Sequence, residues 1–119
     1  TCTTRGTDMN TLETLKAARK LISDIEHWTQ DEYAADNTGC GCPTHEHFAH
    51  SFCAIGALCR TTETDPANID DLDAYHELCV AVGLLGGKCG VADWNDGEEY
   101  EAAHARVLKA YDLAIEHLS

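Results

Sequence analysis

Three stretches hold side chains whose types and spacing bear on chemistry. The densest is Cys40-Gly-Cys42-Pro-Thr-His45-Glu46-His47-Phe-Ala-His50. Thiolate and imidazole are the preferred ligands of zinc. On a helix, His47 and His50 share a face at i, i+3, with His45 in the first turn and Cys40 or Cys42 folding back from the loop. His45, His47 and His50 are therefore a candidate metal site, with zinc as the implied cofactor. The spacing is not a standard one. Cys-x-Cys lacks the usual gap, no second Cys or His pair follows at finger spacing, and His-Glu-x-x-His fails because residue 49 is Ala. The plainer reading is a set of polar residues on an exposed helix start.

The second stretch is Trp94-Asn95-Asp96. As polar groups at a helix N-terminus, Asn95 and Asp96 would face a ligand, and Trp94, Asn95 and Asp96 are the candidate ligand-binding residues. Against this stands Trp94 as a core plug, with Asn95 and Asp96 as turn and cap. The third is Cys53 with His104, which could form a nucleophile pair if they met in space. Cys53 sits among apolar residues, where a thiol stays neutral, and His104 suits the edge of a core. No catalytic residue is assigned. No phosphate loop, Ser-His-Asp order or carboxylate pair is present.

The elements that would position these groups are helical. Phe48, Phe52, Ile55 and Cys59 recur at i, i+4, i+7 and i+11, one stripe of a helix. The remaining faces carry small or apolar residues, so this helix, about 44–60 with Thr44 as N-cap, is expected to be buried among neighbours. A first helix is expected over Thr11–Trp28, with Asn10 and Glu13 at capping-box spacing and Leu15, Ala18, Ile22 and Ile25 turned inward. Loop chemistry follows over 29–44, with one helical turn near 32–35.

A third helix starts at Asp65-Pro66 or slightly later, with Leu72, Tyr75, Cys79 and Val82 as its stripe. A tight connection over 90–96 leads to a fourth helix, Gly97–Leu118, capped by Asp96. No strand alternation is evident. The expectation is an all-α fold, a compact bundle of four main helices around a buried central helix. Residues 9–119 form one helical domain behind a loose tail or added segment at 1–8.

Composition bounds the function. The chain has 119 residues, one domain's worth, and is 44% hydrophobic. Its 21 acids against 8 bases give a net charge of −13. That field opposes nucleic acid and anionic lipid, and no run of about 18 apolar residues predicts a membrane span. Seven cysteines, an odd number, with four in or at the ends of apolar stretches, point to a reduced cytoplasmic protein. Tyr100, Tyr111, Trp28 or Leu12 could extend beyond one core into a homodimer seam.

Three patches together resemble a family of small uncharacterised bacterial and phage proteins. They are Asn10-Thr-Leu-Glu-Thr-Leu-Lys-Ala-Ala-Arg-Lys-Leu-Ile with Trp28; Phe52-Cys-Ala-Ile-Gly-Ala-Leu; and Trp94-Asn-Asp followed by His104-Ala-Arg-Val-Leu and Ala114-Ile115. Phe52 stands where that family has Trp, and the Cys/His-rich loop lies outside its pattern. The resemblance covers Met9 to Ile115. It implies a cytoplasmic accessory protein of a mobile element, non-enzymatic, binding a protein or a small molecule. The alternatives are a zinc-type metal-binding protein and a small enzyme working near Cys53 and Trp94–Asp96.

Overall fold

A computed structural model describes residues 10–87 and 90–119. The expected loose tail at 1–8 lies outside them. Helix α1, Thr11–Leu21, starts as its sequence requires: the Asn10 side chain accepts from the Glu13 N–H at 2.8 Å, and Glu13 reaches back to the Asn10 N–H at 3.4 Å. Leu15, Ala18 and Ile22 are fully buried. The helix does not run to Trp28. Ser23 donates its hydroxyl to the Lys20 carbonyl, and Asp24 accepts from the Glu26 N–H, opening a short 3-10 turn at Ile25–His27. Short polar side chains compete here with the helix for its own backbone.

The expected central helix is divided. Residues 44–50 form turns, and Ser51–Phe52 is a strand, β2, paired antiparallel with β1, Ala34–Ala35. Helix α2 occupies only Ala54–Thr62. Backbone pairing with the preceding loop accounts for the difference. The His50 N–H donates to Ala35, Cys53 to Tyr33, and Thr29 to Phe52, which satisfies the chain around 50–53 without a helical ladder. Burial is as anticipated over Ser51–Cys59, every residue of which is buried, but Phe48 at the front of the stripe is 48% exposed. Thr44 caps no helix; its carbonyl accepts from the Arg60 guanidinium at 2.8 Å.

A 3-10 segment, Pro66–Asp71, capped by the Asp65 carboxylate, precedes α3, Asp73–Leu84. The inward residues of α3 are Ala74, Leu78, Ala81 and Val82. The expected stripe is thus rotated, and Tyr75 and Cys79 sit at its edge. Where a tight connection was expected, Val91–Asp96 forms a helix, α4, and α5 runs Tyr100–Leu118 with Glu99, not Asp96, at its N-cap. Helix α5 packs on α1, α3 and α4, and α1 also packs on α2. Trp28 and Tyr111, for which core burial was the first expectation and a dimer seam the alternative, lie in the core: the Tyr111 hydroxyl donates to the Ala54 carbonyl at 2.7 Å. The described chain is mostly helical with one small sheet. No helix among the described residues is long and apolar enough to cross a membrane.

Candidate functional site

Asn95 lies in the last turn of α4, is 1% exposed, and faces the start of α2 and the Trp28–Thr29 segment. Its Oδ1 accepts from the Trp28 indole N–H at 2.8 Å and from the Ala54 N–H at 2.9 Å. Its Nδ2 donates to the Thr29 carbonyl at 3.1 Å and to Asp96 Oδ1 at 2.7 Å. A carboxamide has two lone pairs and two N–H groups, so the side chain is fully used. The Asn95 carbonyl accepts from Gln30, and Asp96 Oδ1 also accepts from the Asp31 N–H at 3.0 Å. The three sequence patches marked by Trp28, by Phe52 to Leu58 and by Trp94-Asn95-Asp96 thus meet at one node.

The expected position of Trp94, Asn95 and Asp96 ahead of a helix is corrected by this geometry. They end α4 rather than begin α5. Trp94 turns the other way: its indole donates to the Arg106 carbonyl at 3.0 Å, and the Arg106 guanidinium lies 4.3 Å over its ring. Asn95 and Asp96 do reach a cleft of about 300 Å³. It is lined by buried Cys53, Ile55 and Asn95 and by exposed Asp31, Glu32, Tyr33, Ala92 and Asp96, the 31–33 segment forming its rim. Asp31 has φ +71°, a conformation non-glycine residues adopt rarely. The rim is pinned through the Tyr33 carbonyl, which takes the Cys53 N–H at 3.2 Å and leaves no room for a Cβ at Gly56.

Cys53 caps α2, its Sγ accepting the Gly56 N–H at 3.2 Å. Burial pushes its thiol up to about 11, outweighing that N–H, which acts in the opposite direction. His104, 8% exposed, donates Nε2–H to the Ile22 carbonyl at 2.7 Å and lies 5.2 Å from the Trp28 ring. Among the described residues no hydrogen bond joins it to Cys53. Both groups have structural partners of their own.

The Cys/His-rich loop is not drawn into a site. Without a helix over 44–50, His47 and His50 do not share a face. The His47 ring meets Phe48 edge-on at 5.5 Å; the His50 ring lies 4.7 Å from His27, whose Nδ1 donates to the His50 carbonyl at 2.8 Å. The structure does not bring His45, His47 and His50 together. Among the described residues no group of three or more His, Cys, Asp or Glu is arranged to hold a metal ion. Asp36 organises this loop, accepting from the Thr38 hydroxyl and from the Thr38 and Cys40 N–H groups, which hold its carboxyl below the usual range.

Sequence reasoning missed the rim. Asp31-Glu32-Tyr33 fell within the expected loop, and the helical turn expected near 32–35 is instead a bend leading into β1; two acids beside an aromatic residue were a usable signal. No curated protein and no solved structure matches the chain. Residues 6–117 match the model of a family of unknown function, DUF6197, and the chain belongs to that family.

Proposed function

We propose that this protein is a non-enzymatic binding protein and that the cleft between the 31–33 rim, the start of α2 and α4 is its site. The observation that carries this reading is the saturation of Asn95. A wall built from a fully bonded carboxamide is set before any ligand arrives, and a preformed cleft loses less ordering entropy on binding. Its volume of about 300 Å³ lies at the lower end of the range for small-molecule sites. An accessory role in the cytoplasm, as the resemblance implied, is compatible with such a module.

A second reading makes Cys53 a nucleophile, because it lines the same cleft as Asn95 and Asp96. A thiol that ionises near 11 is protonated at neutral pH and is a poor nucleophile there. One experiment separates the two. Treating the folded protein with a thiol reagent at neutral pH is expected to modify exposed Cys40 quickly and to leave Cys53 untouched until denaturant is added. Rapid, selective modification of Cys53 would overturn the binding-only reading. A broad fragment screen read by backbone amide shifts should move Asp31, Tyr33, Ile55 and Ala92 first. A screen that moves none of them sinks the cleft as a site.

A further inference from the structure

Resting on the reading of the cleft as the binding site, we infer that residues 30–32 are a hinged strap that swings out to admit a ligand and closes over it. Both ends of this segment are fixed. The Thr29 N–H donates to the Phe52 carbonyl at 3.1 Å, and the Thr29 carbonyl accepts from Asn95 Nδ2 at 3.1 Å. At the far end the Tyr33 carbonyl takes the Cys53 N–H, and fully buried Ala34 pairs with Phe52 in the sheet. Between these anchors Gln30, Asp31 and Glu32 bring no apolar side chain to bury, and the hold is polar. Gln30 Nε2 donates to the Asn95 carbonyl at 3.1 Å and to the Glu98 carbonyl at 3.0 Å, and the Asp31 N–H donates to Asp96 Oδ1 at 3.0 Å. The Glu32 side chain rests on Gly41.

Releasing the middle costs little. The Asn95 and Glu98 carbonyls lie at the end of α4 and just beyond it, where water can replace Gln30 as their partner. Asp31 and Glu32 are exposed already, so opening them uncovers no core. The closed form holds Asp31 at φ +71°, a left-handed conformation that a non-glycine residue keeps only under restraint from its neighbours. A segment with firm ends, a strained residue in the middle and no buried apolar contact is the kind that opens locally while the rest stays folded. Its movement clears the side of the cleft opposite buried Cys53 and Ile55.

The test is alkylation of the full chain with iodoacetamide at neutral pH over a urea series, each cysteine being followed by mass spectrometry. Cys59, 0% exposed within α2, reports unfolding of the whole molecule, whereas Cys53 at the front of the same helix lines the cleft. Cys53 is expected to label at urea concentrations well below those that label Cys59, and with a weaker dependence on urea, because opening a strap exposes little surface. Gln30→Ala should speed the labelling of Cys53 about tenfold, two modest hydrogen bonds being lost together. Labelling of Cys59 that is still confined to high urea shows that this variant folds. If Cys53 and Cys59 label together with one urea dependence, or if Gln30→Ala leaves Cys53 unchanged, the strap is overturned. The cleft reading then stands or falls on its fragment screen alone.

Discussion

At the scale of single residues, Asn95 has more partners than any sequence reading could assign it. Trp-Asn-Asp was visible as a unit, but its bonds reach 67, 41 and 66 positions back along the chain. Nothing local to residue 95 encodes those distances, so a cap or ligand group was the natural local reading. The bonds give a sharp expectation. Asn95→Ala orphans a buried indole N–H and a buried backbone N–H at once, and should cost about 2–4 kcal/mol in urea denaturation, at one to two kcal/mol for each. Asn95→Asp keeps the acceptor but sets a second carboxylate against Asp96 and the Thr29 carbonyl. It should lose at least as much at neutral pH. A loss below about 0.5 kcal/mol for either variant would mean that the node does not hold the fold together.

At the scale of elements, local signals were legible and long-range pairings were not. The Asn10–Glu13 cap is written within four residues and formed as expected. The Phe48–Arg60 stretch misled because a short apolar run with helical spacing does not distinguish a helix from a strand followed by a helix. Strand β2 is two residues long, too short to alternate, and exists because Ala34 and Ala35 lie beside it. Gly56 shows how tightly these pieces are fitted. A methyl group at position 56 would overlap the Tyr33 carbonyl oxygen, which is backbone and has no rotamer to change. Gly56→Ala should therefore destabilise by about 3 kcal/mol, despite the better helix propensity of alanine, and shift the amides of the cleft rim. A variant as stable as the parent, with unmoved Tyr33 and Asp31 signals, would show that the rim does not lean on α2.

At the scale of the whole molecule, the mostly helical character and the acidic surface followed from composition and periodicity. The inward face of α3 and the path of α4 did not, because they depend on how helices cross. The buried titratable groups predict a one-sided pH response. Cys53 is raised from 9.0 to about 11 and Cys59 to about 12 by burial, and Tyr111 is raised well above its ordinary 10.0. All three are neutral below their unfolded values, so their contribution is complete below about pH 9. It is lost as pH rises through the folded values, since the unfolded chain then releases protons that the folded chain keeps. Urea midpoints should hold steady from neutral to about pH 9 and fall steeply beyond it. Cys59→Ala should flatten that fall. A midpoint that rises or stays level between pH 9 and 11 would contradict the burial assigned to these thiols.

The node at Asn95 also sets an order of events in the cell. Synthesis delivers Trp28 first, then the amide that opens α2, and only much later the carboxamide that answers both. A nascent chain halted before α4 lacks the acceptor for its Trp28 indole and for the Ala54 N–H. The node can therefore close only once the last quarter of the chain has been made.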